Sequence, residues 1–373
     1  MSTTEQPTGH AANADIIGRN EIDDIEAILA VTNVDADEVE HAVKDNADAI
    51  FTWDYSLLRP QLRKLYEKAK TSQWNGTTDL DWDTSVEIDK VVAADQAALA
   101  SGLSPDHYAG TIVEKWNDKE WLNFGIDSRR WTLSQFLHGE QGALLCTAKI
   151  TETVPWYDAK LYAATQVVDE ARHVEVFGRY LDEKMGGGFQ VNAHLRMLLD
   201  DIIEDSRWDM TYLGMQIMVE GLALAAFGYM RQLTDEPLLN NLLKYVMADE
   251  ARHVAFGVLS LKEVYAEMSD KELLERQEFA FEAAIRMRDR FLQQEVWERH
   301  GVNPKDVVPL VLHDPTRKMF QQMLFAKIVP NSKKLGLLDR NNSWLRRRFE
   351  EMDVIQFEDL EDTGSEYEQY QLS

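Results

Sequence analysis

The chain has 373 residues, of which 45% are hydrophobic, so it is long enough to bury a substantial core. Its 65 acidic residues outnumber its 39 basic residues, and the net charge of −26 opposes general binding to nucleic acid or to an anionic membrane surface. Its single cysteine, Cys146, excludes an intramolecular disulfide, an iron–sulfur cluster or a rubredoxin-like centre built from this chain alone.

The N-terminal region, residues 1–84, is predicted to lie outside the main core. Residues 1–19 are small and polar without periodicity, which is typical of a disordered leader. Residues 22–50 carry apolar side chains at helical spacing and predict two short acidic helices. A further helix, entered through Pro60, is predicted to precede a loop rich in Asn, Gly, Thr and Asp.

Residues 85–304 are predicted to form one helical core, because proline is scarce and apolar residues recur with helical periodicity. Helix breaks are expected at residues 186–188, 234–237 and 269–270 and after Gly301. The predicted helices span residues 86–101, 105–122, 130–150, 156–185, 193–233, 236–267 and 270–299. Several are long enough to form a central bundle, so the predicted fold class is all-α.

The C-terminal region, residues 305–373, is predicted to hold short helices near 315–328 and 343–352, followed by a mobile acidic tail. No segment near the N-terminus combines a basic head with an apolar stretch. The longest apolar run, residues 221–230, is shorter than a membrane span. A cytoplasmic location is therefore expected by default.

The hexapeptide Asp-Glu-Ala-Arg-His-Val occurs twice, at residues 169–174 and 249–254, and a glutamate precedes each copy at the same interval. Positions i and i+3 of a helix lie on one face, so each Glu-x-x-His unit directs an oxygen and a nitrogen to a common point. Together with the upstream glutamates, two such units can hold a pair of metal ions between four helices. The predicted ligands are Glu140, Glu170, His173, Glu220, Glu250 and His253.

This mixed set of oxygen and nitrogen donors predicts Fe(II) or Mn(II) rather than a structural zinc ion. Four clustered carboxylates would be costly to bury without cations. The aspartate before each ligand glutamate is expected to accept a hydrogen bond from the opposite histidine, pairing Asp169 with His253. By the same reasoning Asp249 pairs with His173. Two arginines are expected to neutralise these aspartates: Arg172 and Arg252.

These motifs resemble those of the ferritin-like di-iron carboxylate superfamily, and in particular its oxygen-activating branch. That branch includes bacterial monooxygenase hydroxylases, ribonucleotide reductase small subunits with their ligand-binding oxidase relatives, and acyl-carrier-protein desaturases. The resemblance covers about residues 131–264 and implies a ferritin-like four-helix bundle with additional peripheral helices. It also implies two iron ions, with a manganese/iron pair left open as an alternative, and a homodimer.

Some positions differ from individual members of this superfamily. Phe177 stands where ribonucleotide reductase small subunits commonly carry their radical tyrosine. Ala223 and Leu224 stand where many monooxygenases and desaturases carry a threonine after the third glutamate. Related amine N-oxygenases add another histidine ligand, but His138 lies two positions from the first predicted ligand and so on another face of its helix. His194 is the other histidine considered for that role.

Small and apolar residues flank the predicted ligands and are candidates to line a substrate pocket, although close helix packing explains them equally well. Gln216, one turn before the third glutamate, is the nearest polar candidate to contact substrate or oxygen. Tyr212 is a candidate to line an approach path or to relay electrons. The candidate pocket residues are Gly142, Ala143, Tyr212, Gln216, Ala223 and Leu224.

The sequence therefore predicts a non-haem di-iron oxidoreductase, such as a monooxygenase, that uses dioxygen to hydroxylate, desaturate or oxygenate an apolar small molecule. Because the chain holds no cysteine-based redox centre, an external electron-donor protein is expected. Two alternatives remain open: a ferroxidase or iron-handling protein without an organic substrate, and a metal-binding structural bundle without catalysis. Neither a nucleic-acid partner nor a membrane span is expected.

Overall fold

The computed structural model describes residues 18–19, 21–32, 39–99 and 108–370. These residues form helices and connecting segments and contain no β-strand, which confirms the predicted all-α fold. The helices are α1 (Ile25–Ala30), α2 (Pro60–Thr71), α3 (Ile88–Leu99), α4 (Asp118–Thr153), α5 (Tyr157–Met185), α6 (Ala193–Glu204), α7 (Trp208–Leu233), α8 (Pro237–Glu267), α9 (Asp270–Arg290), α10 (Gln294–Arg299), α11 (Pro304–Leu312), α12 (Pro315–Met323), α13 (Ile328–Lys334), α14 (Arg340–Glu351) and α15 (Thr363–Tyr370). Short 3-10 turns occupy Ile112–Lys115, Leu324–Ala326 and Ile355–Phe357.

Helices α4, α5, α7 and α8 form a four-helix bundle, as predicted. Local sequence determines where the long helices begin and end. At the start of α4 the Asn117 side chain accepts from backbone N–H groups, while the Glu120 carboxylate accepts from the Asn117 N–H. Helix α5 ends at Met185 and is followed by Gly186, which adopts a left-handed backbone with φ +72°. Helix α8 begins at Pro237, and the Glu236 carboxylate accepts from the next two free N–H groups.

The predicted helix over residues 193–233 is interrupted and forms α6 and α7 instead. The interruption lies at Asp205, whose backbone is extended with ψ 123°. Its carboxylate accepts hydrogen bonds from the backbone N–H and the guanidinium of Arg207, a local arrangement that competes with helix continuation. The predicted helix over 270–299 is likewise divided, at Gln293, where φ is +56°.

The prediction of a helix over residues 105–122 is wrong in its described part. Residues 108–117 contain only the 3-10 turn Ile112–Lys115, and α4 begins at Asp118. Gly110 adopts φ +84°, outside the helical region, and Asn117 caps the helix that follows. Residues 105–107 lie outside the described part of the chain.

Residues 39–59 form an extended segment rather than the second predicted acidic helix. The segment is attached to the bundle by backbone and side-chain contacts that replace helical hydrogen bonds. The Ile50 N–H donates to the Glu152 carbonyl at 3.0 Å, and the Thr52 hydroxyl donates to the Pro155 carbonyl at 2.8 Å. Most of the predicted leader, together with residues 33–38, lies outside the described part of the chain.

The prediction of a mobile acidic tail is wrong as far as residue 370. Helix α15 packs against α8. The Thr363 N–H donates to Asn331 Oδ1 at 2.9 Å, and the Asn331 amide donates back to the Thr363 hydroxyl at 3.1 Å. The Lys327 ammonium donates to the Glu366 carboxylate at 2.6 Å. These contacts hold an acidic segment that charge alone would leave in solvent.

Helix α7 is long and apolar enough, by length and composition, to cross a membrane. However, 78% of its most apolar window is buried inside the fold. It carries Glu220 and is surrounded by the other helices of the bundle, so its hydrophobicity is accounted for by its central position.

Candidate metal centre

All six predicted ligands lie together in the centre of the bundle, and all six are buried. They form two overlapping groups, in each of which the ligand atoms lie within 4.8 Å of one another. One group consists of Glu140, Glu170, His173 and Glu250. The other consists of Glu170, Glu220 and His253. Glu170 belongs to both groups, so it would help to hold each of two ions if they were bound there.

Several donor atoms of the cluster are buried without a hydrogen-bond partner: Glu170 Oε2, Glu220 Oε2, both carboxylate oxygens of Glu250, and His253 Nδ1. His253 Nδ1 lies 3.0 Å from Glu170 Oε1 and 3.6 Å from Glu250 Oε2, but neither contact has hydrogen-bond geometry. Buried polar atoms without partners are costly. Their convergence fits a pair of cations bound between them.

The cluster retains protons when no cation is bound. Burial, reinforced by the charge of Glu250, raises the pKa of the Glu140 carboxyl to about 8. Burial also raises the pKa of Glu220 well above its usual range. Burial alone would lower the pKa of His253, but the carboxylates of Glu170 and Glu250 outweigh it and raise that pKa. Metal ions binding here would displace protons.

Each histidine of the cluster contacts an aspartate from the opposite Glu-x-x-His helix. His253 Nε2 lies 3.3 Å from Asp169 Oδ2, and His173 Nε2 lies 3.3 Å from Asp249 Oδ2. These are the pairings expected from the sequence. With Nε2 directed at an aspartate, Nδ1 of each ring faces the glutamate cluster.

Two arginines connect the aspartates to each other. Arg172 donates to Asp169 at 2.6 Å and to Asp249 at 3.0 Å. Arg252 donates to Asp249 and, at 3.2 Å, to Asp169. Burial would raise the pKa of Asp249, but its hydrogen bond with His173 and the charge of Arg252 hold that pKa below its usual range. Both aspartates therefore remain charged acceptors.

Two residues that follow α2 complete this network, and neither was predicted from the sequence. Trp74 Nε1 donates to Asp249 Oδ2 at 2.7 Å, and its ring lies 4.7 Å from the Arg172 guanidinium carbon. Gln73 donates to Asp169 at 3.0 Å and accepts from Arg172 at 2.9 Å. The only sequence signal was a tryptophan within an otherwise polar loop.

Gln166 also contacts the cluster and was not predicted. Its amide nitrogen donates to Glu170 Oε1 and to Glu220 Oε1, both at 2.9 Å. Gln166 lies one turn before Glu170 on the same face of α5, so its spacing from the motif was a usable signal.

A π-helical turn, Leu213–Val219, directly precedes Glu220 in α7. In this turn the Glu220 N–H donates to the Met215 carbonyl, five residues back. The wider turn changes the direction in which the following side chains point, and such turns are frequent at functional sites. The turn is packed closely: a Cβ on Gly257 of α8 would lie 2.6 Å from the Cβ of Gln216.

A cavity of about 20 Å³ adjoins the ligand cluster, and this is room for about one molecule of water or dioxygen. Its lining residues are Gln135, Phe136, Gly139, Glu140, Ala143, Val219, Glu220, Ala223, Glu250 and Arg290. Ala143 and Ala223 are thus the two candidate pocket residues that the structure places beside the predicted ligands.

The other candidate pocket residues lie elsewhere. Gly142 packs against Leu199 and lines a second cavity, of about 300 Å³, on the outer side of α4. Tyr212, Gln216 and Leu224 are buried but line neither cavity. Both polar atoms of the Gln216 amide are without a hydrogen-bond partner.

Within the described residues, no third histidine joins the ligand cluster. His138 Nε2 bonds to the Phe189 carbonyl at 2.9 Å, away from the cluster. His194 is also buried elsewhere, and burial lowers its pKa to about 4. The cluster therefore contains two imidazoles and four carboxylates.

Comparison with known proteins identifies the family. A family model described as p-aminobenzoate N-oxygenase AurF matches residues 149–336, just over half of the chain. The chain belongs to the AurF family. It is a non-haem di-iron oxygenase or oxidase, which confirms the enzyme class and the iron cofactor predicted from the motifs. Glu140 precedes the matched residues, so its inclusion in the site rests on the geometry alone.

The chain is also similar to solved structures of R2-like ligand-binding oxidases. A valine-to-leucine variant with an anaerobically reconstituted Mn/Fe cofactor is 20% identical at a TM-score of 0.45, covering 73% of this chain and 92% of that chain. A tyrosine-to-phenylalanine variant with an aerobically reconstituted Mn/Fe cofactor is 18% identical at a TM-score of 0.43, covering 81% and 94%. No curated protein matches the chain.

Proposed function

We propose that this AurF-family protein uses dioxygen to oxidise a small organic molecule at the buried cluster. The proposed ligands of two iron ions, or of one manganese and one iron, are Glu140, Glu170, His173, Glu220, Glu250 and His253. The observation that carries the proposal is the set of buried, unsatisfied donor atoms that converge in two overlapping groups. When bound, the metal pair supplies electrons and a binding position for oxygen.

The surrounding residues orient the proposed ligands. Asp169 and Asp249 accept from Nε2 of the histidines and so leave each Nδ1 directed at the cluster. Arg172 and Arg252 balance the charge of these aspartates. The Gln166 amide holds the carboxylates of Glu170 and Glu220 in place.

The proposed reaction is oxygenation of a small organic substrate, with amine oxygenation as the favoured type because the matched family model is named for a p-aminobenzoate N-oxygenase. The apolar lining contributed by Phe136, Ala143, Val219 and Ala223 suits such a substrate. Since the cavity has a volume of only about 20 Å³, an organic substrate requires its lining to move. An external electron-donor protein and a homodimeric assembly belong to the same proposal.

A ferroxidase is the second candidate function, and one observation favours it. The cavity of about 20 Å³ accommodates dioxygen without any rearrangement, whereas it has no room for an organic molecule. In that case Fe(II) is the substrate, and the four carboxylates bind it before its oxidation.

The first test is metal analysis, followed by anaerobic reduction and rapid mixing with oxygen while the optical spectrum is recorded. We expect about two irons per chain, and an oxygen-dependent spectral change that is lost in the double variant Glu170→Ala/Glu250→Ala. The matched control is Glu263→Ala, an exposed glutamate on α8 that pairs with Arg59. One zinc ion or no metal, with no response to oxygen, would contradict the proposal.

A second measurement separates the two candidate functions. Oxygen consumption is followed with limiting Fe(II) and, separately, with catalytic iron and excess reductant. Consumption that stops in proportion to added Fe(II) supports the ferroxidase. Continued consumption that depends on an added arylamine supports the oxygenase.

A further inference from the structure

Arg290, the last residue of α9, is a buried cation without an anionic partner in the described part of the chain. Its side chain lies over the Phe291 ring, with the guanidinium carbon 4.8 Å from the ring centroid. The residue is 3% exposed, its Nε is buried without a hydrogen-bond partner, and no ion pair joins it to a carboxylate among the residues that the structure describes. Burial lowers the pKa of Arg290 to about 10, so the side chain remains charged at neutral pH.

Other buried arginines of the same helix have carboxylate partners. Arg276 donates to both carboxylate oxygens of Asp209, at 2.9 and 3.1 Å. Arg288 donates to Asp289 at 2.9 Å and to Asp23 at 2.8 Å. A buried charge without a partner is strongly unfavourable, so the isolation of Arg290 requires an explanation.

Arg290 lines the cavity beside the proposed metal ligands and is the only cationic residue among the described residues that line it. The one other polar residue there that is not a proposed ligand, Gln135, already donates to the Gln190 carbonyl and accepts from the Asn192 N–H. Two divalent ions would balance the charges of the four glutamates. The charge of Arg290 would then remain unbalanced next to the metal pair.

We propose that this cavity is an anion-binding site in which Arg290 pairs with a carboxylate group. A guanidinium matches a carboxylate through two parallel hydrogen bonds, and a monoanion balances the remaining positive charge. The carboxylate belongs either to a free small anion such as formate or to one end of a larger organic substrate. In the second case Arg290 determines which end of the substrate points away from the metals. Because the cavity of about 20 Å³ holds only about one molecule of water or dioxygen, binding of either carboxylate requires the cavity lining to move. The inference rests on the proposed function, because the charge balance assumes two bound metal ions.

The test is calorimetric titration of the metal-loaded, anaerobic protein with formate and with benzoate, using formamide and benzamide as neutral analogues. We expect both the preference for carboxylates and a loss of affinity of about tenfold or more in Arg290→Met. Arg290→Lys should recover part of the affinity, since it keeps the charge. The matched control is Arg286→Met on the same helix, because Arg286 pairs with Asp201 and Glu282 away from the cavity.

Formate and benzoate distinguish the two possible sources of the carboxylate group. Binding of formate alone identifies a site for a free small anion, whereas competitive binding of benzoate identifies the end of a larger substrate. Neutral analogues that bind as well as the carboxylates, absence of carboxylate binding, or unchanged affinity in Arg290→Met would each overturn the inference.

Thermal denaturation of the same samples gives an independent readout. If Arg290 is unpaired until an anion binds, Arg290→Met removes an unpaired buried charge and raises the Tm of the anion-free protein. Formate should raise the Tm of the wild type but not that of the variant. A lower Tm for anion-free Arg290→Met would show a structural role and overturn the inference. If the protein binds metal but does not bind carboxylates, only this inference is contradicted. If the protein binds no metal, the proposed function is contradicted.

Discussion

Gln166 uses one amide nitrogen to hold Glu170 and Glu220, which come from different helices. We expect Gln166→Leu to reduce metal affinity by about 10- to 100-fold, because the two carboxylates lose the donor that orients them. Metal titration of the purified variant measures this. The control is Thr165→Val, since the Thr165 hydroxyl donates only to the Tyr162 carbonyl of its own helix. Equal affinity in both variants would remove Gln166 from the site.

Trp74 supports the site from outside the four-helix bundle by donating to the buried Asp249. We expect Trp74→Phe to lower the free energy of unfolding by about 1–3 kcal/mol, because a buried charged acceptor loses one of its donors. The variant should also bind metal more weakly. The control is Trp82→Phe, which loses a comparable buried indole hydrogen bond, to the Gly76 carbonyl. If both variants bind metal equally, Trp74 has only a structural role.

The repeated hexapeptide predicted the two Glu-x-x-His pairs, the two aspartates and the two arginines, because helical spacing relates them within each copy. Glu140 and Glu220 lie outside the hexapeptide and were proposed from their matched positions upstream of it. The structure brings all six proposed ligands together. Residues such as Trp74 and Arg290 could not be predicted in the same way. Trp74 reaches the site from the loop after α2, and Arg290 reaches it from α9. Their positions depend on how these elements pack against the bundle. A single sequence contains no periodic signal for such long-range contacts.

At the scale of the elements, Gly257 allows α8 to lie against the π-helical turn of α7. We expect Gly257→Ala to lower the free energy of unfolding by about 1–3 kcal/mol, because the new methyl group would lie 2.6 Å from the Cβ of Gln216, which cannot move independently of the backbone. The control is Gly139→Ala, since a Cβ there meets no atom within 4 Å. Chemical denaturation measures both variants. Equal free energies of unfolding for Gly257→Ala and Gly139→Ala would show that α7 and α8 can move apart without loss of stability.

The helix breaks near residues 186–188, 234–237 and 269–270 were predicted from glycine, proline and capping residues, but the interruptions at Asp205 and Gln293 were not. The break at Asp205 depends on side-chain hydrogen bonds to Arg207, and the apolar pattern on either side continues across it. Residues 39–50 of the extended segment have helical spacing in their sequence, yet the contacts of the segment with Glu152 and Pro155 favour a different backbone. In both cases specific hydrogen bonds outweighed a weak local preference.

For the whole molecule, the protonated cluster predicts a pH dependence that bound metal should remove. The Glu140 pKa is raised from 4.5 to about 8, so this group stabilises the metal-free fold fully below pH 4.5 and loses that contribution as the pH rises through 8. The raised pKa of His253 acts in the same direction. We expect the Tm of the metal-free protein to fall from about pH 6 to about pH 9 and that of the metal-loaded protein to fall less. If the Tm of the metal-free and the metal-loaded protein falls equally with pH, this expectation is contradicted.

The net charge of −26 makes a second prediction for the whole molecule. Repulsion among surface carboxylates opposes the compact state, and added salt screens it. We expect the Tm of the metal-free protein to rise as sodium chloride increases from about 0.01 M to about 0.15 M, over which the screening length shortens most. An equal osmolarity of glycerol is the control for solvent effects. A Tm that does not depend on salt would show that the charges are already balanced locally.

The aspartate of each Glu-x-x-His helix contacts the histidine of the other, so the geometry of each Glu-x-x-His pair depends on the position of the other helix. Asp249 orients His173, Asp169 orients His253, and both arginines connect the two aspartates. A shift of α5 along α8 by one turn would misalign both histidines at once. Metal uptake is therefore expected to be cooperative: the first ion fixes the alignment of the two helices, and the second meets ligands that are already in place.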